Sequence, residues 1–242
     1  MFPYNPPLQS QLSRLIPAVL MIQAVILDYD GTLVSFDREK AFEAALEPLE
    51  LDPPAVSANL AELDRKRATS GAYSRRALLA RVAPGLEEEA LQRAEAAFWQ
   101  RVMETTRPAP GALDLLRHCR ENSLPLGLLT DWDGAPGLKQ ARLEASGLLS
   151  WFDAVVIAGE TVAARKPRLE PFLEMCSRLN TRPENAIMVG DKVESDLVPA
   201  RDLGMAAVWI PGEYPGVWSP HVSQLGEVIL LLETSPETTG NE

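Results

Sequence analysis

Five short apolar runs constrain this chain more than any other feature. They are Ile22–Leu27, Pro125–Leu129, Ala154–Ile157, Ala186–Val189 and Ala206–Ile210. Each is bounded by turn residues and is apolar on both faces, as a strand covered on both sides by helices must be. Helix-like segments fall between them at Gly111–Glu121, Gly137–Ala145, Glu170–Leu179 and Ser195–Leu203. Strands alternating with helices predict an α/β fold, a doubly wound Rossmann-like parallel sheet. In such a sheet a ligand sits outside the carboxyl ends of the strands.

Residues 35–107 break the alternation, because they contain no strand-like run. Four helical patterns fill them: Arg38–Glu50, Ala55–Ala68, Ser74–Val82 and Leu86–Thr106. Phe42, Ala45, Leu46 and Leu49 recur at helical spacing in the first, and Leu91, Ala94, Phe98 and Val102 in the last. This stretch predicts a small bundle inserted as a separate α-helical lid domain. The expected organisation is an N-terminal extension at 1–21, a catalytic core at 22–34 and 108–232, a helical cap at 35–107 and a disordered polar tail at 233–242. Met21 stands directly before the first strand, so residues 1–20 read as dispensable. The apolar run Leu15–Leu27 contains Pro17 and Gln23, which leaves it too short for the ~20 apolar residues of a membrane span. It also runs into Asp28-Tyr29-Asp30 without a small-residue cleavage site.

With 23 Lys plus Arg against 34 Asp plus Glu, the net charge is -11. A non-specific nucleic-acid binder needs a basic face, so that class is excluded. Cys119 and Cys176 form no CxxC pair and read as core residues of a reduced, cytoplasmic protein.

The strand ends carry the chemistry. The first run passes into Asp28-Tyr29-Asp30-Gly31-Thr32-Leu33, and along an extended chain Asp28 and Asp30 would point the same way. The fourth passes into Gly190-Asp191-Lys192-Val193-Glu194-Ser195-Asp196, which brings Asp191 and Asp196 to the same rim. Carboxylates crowded at one rim repel unless a cation joins them. Oxygen ligands alone point to Mg²⁺, and with His118 and His221 the only histidines, zinc is disfavoured. Thr130 ends the second run, and Lys166 in Arg165-Lys166-Pro167 offers a counter-charge before a helix. A phosphate group and Mg²⁺ fit this set.

These motifs, in this order, resemble the haloacid dehalogenase superfamily in its phosphatase branch. DYDGTL at 28–33, Thr130 closing Leu128-Leu129-Thr130, Lys166 within RKPRLEPF and GDKVESD at 190–196 match its four motifs, over about residues 22–210. The helical insert resembles the cap that follows the first motif. The stretch from Asp131 to Lys166 has room for one helix and one strand, not for the family's other cap type. The resemblance implies a Mg²⁺-dependent phosphohydrolase acting on a small phosphomonoester. Asp28 would attack phosphorus to form an aspartyl-phosphate, and Asp30 would serve as general acid and then general base. Asp28, Asp191 and the backbone carbonyl of Asp30 would hold Mg²⁺. Thr130 and Lys166 would bind the phosphoryl oxygens, and Asp196 would orient Lys166 or a metal-bound water. A dehalogenase or a phosphonatase would lack the second acid, Asp30. Asp131 stands where the family often has Asn, and it reads as a substrate-side residue. The rival class is a non-catalytic phosphate-binding or regulatory protein on the same fold. No nucleic acid or membrane partner is implied, and monomer and homodimer both stay open.

One feature of the insert is less routine. Arg65, Lys66, Arg67, Arg75, Arg76 and Arg81 fall in a stretch without an acid. In this cap type a loop selects the substrate, so the loop 69–74 with Arg75 or Arg76 is expected to touch it.

Overall fold

The computed structural model describes residues 22–51, 60, 75–82 and 84–233. The expected extension at 1–21, most of the helix at 55–68, the basic residues 65–67, the loop 69–74 and nearly all of the tail lie outside the described residues. The chain divides into two compact units.

The first unit covers 22–34, 108–131 and 150–233 of the described chain. Its sheet contains β1 (Ala24–Leu27), β4 (Leu126–Asp131), β5 (Ala154–Ala158), β6 (Ala186–Gly190) and β7 (Ala206–Trp209). These are the five apolar runs. The order is β5-β4-β1-β6-β7 and every pairing is parallel. Leu27 stands opposite Leu128 on one side and Val189 on the other. The chain winds outward from β1 to β4 and β5, then returns to β6 and winds outward to β7. The winding therefore reverses beside β1, which puts the topological switch point at the end of that strand.

Helices α4 (Ala112–Glu121), α6 (Glu170–Arg178), α7 (Val198–Asp202) and α8 (Val228–Glu233) complete this unit. Phe172, Met175 and Cys176 of α6 pack with Ala24, Ile26, Ala186 and Met188 of the sheet. Burying a Phe or Met side chain contributes about 1.5–3 kcal/mol. The approach is close because Gly127 has no side chain: a Cβ there would lie 2.5 Å from the Met175 sulfur. The predicted helix at Ser195–Leu203 divides into a wide turn at Val193–Leu197 and the short α7. Within the wide turn, the Asp196 side chain is fully buried.

The second unit covers 35–107, in its described part, and 132–149. It holds α1 (Arg38–Leu46), α2 (Arg75–Val82), α3 (Glu88–Thr105) and α5 (Leu138–Ala145). Helix α1 starts where the Asp37 side chain accepts from the Lys40 N–H at 3.0 Å. Leu91, Ala94, Phe98 and Val102 are all buried along α3, as their spacing predicts. Phe98 meets Phe42 with ring centroids 4.8 Å apart. Strands β2 (Val34–Ser35) and β3 (Arg107–Pro108) pair where the chain enters and leaves the insert.

By sequence, residues 132–149 belong with the sheet; by contact, they belong with the helices. Leu138 packs on the helical core. The Arg142 guanidinium lies over the rings of Phe36 and Trp99, at 5.8 and 5.2 Å. Asp133 joins Lys139 at 3.1 Å and Arg142 at 2.8 Å, all three buried.

Candidate active site

Strands β1, β4 and β6 end at one rim of the sheet unit, and each delivers an acid or a hydroxyl there. The Asp28 N–H still donates to Val189 O at 3.0 Å, so Asp28 leaves β1 tied to β6. The chain then turns at once, with the Leu33 and Val34 N–H groups both donating to Tyr29 O at 3.0 Å. Gly31 takes a left-handed φ of 88° in this turn. A Cβ at Gly31 would also collide with Asp191 Oδ2. Asp30 is half-buried and bridges to Val34 across this turn.

Lys166 is the centre of the rim. Its Nζ donates to Asp28 Oδ1 at 2.7 Å, Asp196 Oδ1 at 2.7 Å and Leu129 O at 3.4 Å. Burial alone would discharge the ammonium, but Asp196, Asp28 and Asp131 outweigh it and hold Lys166 well above the ordinary lysine value. The Lys166 N–H donates to Asp131 Oδ1 at 3.2 Å. Asp131 thus positions the lysine from its backbone, and burial raises its carboxyl above the usual range. Thr130 is buried beside it, and its hydroxyl makes one long contact to Asp131 O at 3.4 Å.

Asp28 Oδ2 and both carboxylate oxygens of Asp191 are buried and have no hydrogen-bond partner. Burial raises the Asp28 carboxyl above the usual range and pushes Asp191 up to about 8. Buried acceptors left without donors are costly. An oxygen atom from each of Asp28, Asp191 and Asp196 lies within 4.8 Å of the others. The oxygens of Asp196 are already engaged: Oδ1 accepts from Lys166 Nζ and, at 3.3 Å, from Ser195 Oγ, and Oδ2 accepts from the Lys192 N–H at 3.1 Å. The open oxygens therefore belong to Asp28 and Asp191. A hard divalent cation fits them, and the donor set suits Mg²⁺. Gly190 makes room for Asp196, since a Cβ there would lie 2.6 Å from the Asp196 Cβ and Oδ2.

Asp28, Thr130, Asp131, Lys166, Asp191 and Asp196 thus share one rim. Arg75 and Arg76 belong to the helical unit. The Arg75 guanidinium is buried over the rings of Phe98 and Trp99, at 5.0 and 5.1 Å. Arg76 pairs with Glu95 at 2.8 Å and Glu88 at 2.7 Å. Lys192 had no role by sequence, yet its ammonium lies 4.7 Å from the centre of the Tyr214 ring, beside the rim acids. Asp191 and the other acids hold it well above the ordinary lysine value, against the cost of burial. The one local signal was a cation embedded in an acid-rich strand-end motif. Trp209 Nε1 donates to Asp191 O at 2.9 Å and anchors that motif.

A carboxylate tethered by a lysine, next to oxygens suited to a hard cation, can present a nucleophile and a metal to one substrate group. The sheet order and the switch point restrict the class further. Residues 22–204 match the haloacid dehalogenase-like hydrolases, and the chain belongs to that family. It is 32% identical over 192 residues to the pyrimidine 5'-nucleotidase YjjG of Escherichia coli, covering 78% of this chain and 77% of the relative. It is 28% identical over 199 residues to a glyceraldehyde 3-phosphate phosphatase of Methanopyrus kandleri, covering 78% and 84%. In fold it is similar to the HAD-hydrolase YfnB of Bacillus subtilis, bound to magnesium, with a TM-score of 0.67, 21% identity and coverage of 87% and 98%. No described helix is long and apolar enough to cross a membrane.

Proposed function

We propose that this hydrolase cleaves a small phosphomonoester with Mg²⁺ as cofactor, through an aspartyl-phosphate on Asp28. The observation that carries the reading is the division of labour between the two Asp28 oxygens. Oδ1 is held by Lys166 at 2.7 Å, and Oδ2 is buried without a partner beside the two open oxygens of Asp191. Asp28 Oδ2 and Asp191 would hold Mg²⁺, which when bound supplies charge neutralisation for an incoming phosphate. Asp28 Oδ1 attacks phosphorus. Lys166 keeps that carboxylate ionised and oriented, and the Thr130 hydroxyl is the neutral donor for a phosphoryl oxygen. Asp30 donates a proton to the leaving oxygen, then takes one from the water that hydrolyses the acyl phosphate. Asp196 keeps Lys166 in place.

The relatives named above act on a nucleotide and on a triose phosphate. Their shared feature is the phosphomonoester, so the proposal stops at that class. Hydrolysis of an aryl phosphate tests it. Turnover should require Mg²⁺, stop with EDTA and vanish in Asp28→Asn, and acid-quenched enzyme should carry phosphoryl on Asp28. Activity that survives both EDTA and Asp28→Asn would overturn the mechanism. A folded protein with no turnover across a broad panel of phosphate esters would favour a binding protein instead.

A further inference from the structure

The two rim lysines are used in opposite ways. Lys166 has three hydrogens on Nζ, and Asp28, Asp196 and Leu129 O take them all. It has none left for a substrate oxygen unless it releases a partner. Lys192 Nζ has the same three hydrogens. Among the described residues it meets no hydrogen-bond acceptor and no carboxylate at ion-pairing distance; its contact is the face of Tyr214, at 4.7 Å. Its root is nevertheless fixed. The Lys192 N–H is held by Asp196 Oδ2 at 3.1 Å, and the carbonyl of the preceding residue, Asp191, is held by Trp209 Nε1 at 2.9 Å.

A half-buried ammonium loses hydration, and the face of one ring returns only part of that loss. An anion completes it. Lys192 directly follows Asp191, whose two open oxygens suit Mg²⁺, so its ammonium belongs to the rim where a phosphate ester would bring its charge. We propose that Lys192 is a substrate-binding residue whose ammonium, steadied on Tyr214, holds an anionic oxygen of the phosphate ester. This inference rests on the phosphohydrolase reading above. The oxygen belongs either to the phosphoryl group or to a charged leaving group.

Lys192→Met and Lys192→Arg in the full chain, at saturating Mg²⁺, test the proposal. The substrates are p-nitrophenyl phosphate, whose leaving group carries no second anion, and phosphoglycolate, whose leaving group carries a carboxylate. Lys192→Met should raise KM about tenfold, the loss of one charge-assisted contact, and Lys192→Arg should recover most of it. A rise with both esters assigns the contact to the phosphoryl group; a rise with phosphoglycolate alone assigns it to the leaving group. If Lys192 merely balances the charge of Asp191, Lys192→Met will lower the Mg²⁺ concentration needed for activation and leave both KM values unchanged, which overturns the proposal. Calorimetric binding of phosphoglycolate to Asp28→Asn, with and without Lys192→Met, provides a readout without turnover. If wild type hydrolyses none of a broad panel of phosphate esters, the phosphohydrolase reading fails, and the calorimetry alone decides Lys192: about tenfold weaker binding supports it and equal binding refutes it. Matching melting curves for the two variants would show that any change is not misfolding.

Discussion

Gly190→Ala should damage both stability and turnover, although it adds one methyl group. That methyl would lie 2.6 Å from the Asp196 Cβ and Oδ2 and 2.8 Å from its Cγ. Asp196 is fully buried and is held by Lys166 Nζ, Ser195 Oγ and the Lys192 N–H, so it cannot swing aside. Overpacking of this kind costs about 1–3 kcal/mol. A displaced Asp196 also forfeits its bond to the Lys166 ammonium, and hydrogen bonds to charged groups contribute about 1.5–3 kcal/mol. A total of about 2.5–6 kcal/mol is a large share of the roughly 5–15 kcal/mol that holds a domain folded. Lys166 would lose one of its two carboxylate anchors, and a misplaced positioning group can lower kcat on the order of 100-fold. The control is Gly204→Ala. Gly204 has φ 84° but nothing within 4 Å of an added Cβ, so only backbone strain of about 1–2 kcal/mol applies and kcat should hold. Urea denaturation and aryl phosphate kinetics on both variants would decide. Gly190→Ala that is as active as wild type, or no less stable than Gly204→Ala, would refute the role given to Asp196.

Two further predictions concern charge. Without a divalent cation, burial pushes the Asp191 carboxyl up to about 8, whereas the unfolded chain releases that proton near the ordinary carboxylate value of 3.8. The folded state holds the extra proton between those values, so this group's contribution to stability falls as pH rises through that window. Mg²⁺ favours the ionised form, so its gain in Tm should be larger at about pH 8.5 than at about pH 6; equal gains would exclude the Asp28–Asp191 site. In the helical unit, Asp133→Asn removes the carboxylate that Lys139 and Arg142 share, at 3.1 and 2.8 Å. Breaking a buried ion pair costs about 3–5 kcal/mol, so the urea midpoint should drop clearly, and an unchanged midpoint would show that the cations have sufficient partners elsewhere.

The sheet was legible because its strands are local, apolar runs of four to six residues. The described helices of the insert were legible from their helical spacing, as Phe42 and Phe98 lie inside where that spacing puts them. The allegiance of 132–149 was not legible. Its helix carries Lys139 and Arg142 on the buried side, and no hydropathy pattern marks a charged residue as core. Asp133 and the rings of Trp99 and Phe36 decide that burial, and two of these three are far away in sequence.

At the rim, the order of motifs determined which residues arrive together: Asp28, Thr130, Lys166, Asp191 and Asp196 all follow or flank strand ends, and a parallel sheet brings those ends to one edge. What each residue does there depends on which donors and acceptors are already taken, and only the tertiary structure decided that. Lys166 and Asp28 stand 138 residues apart, yet their 2.7 Å contact occupies the lysine that the motif offers to a substrate. Lys192, in the same motif as Asp191, keeps its hydrogens open instead. Hydrogen-bond capacity is finite and is spent across long separations, so residue type can be read along the chain but availability cannot.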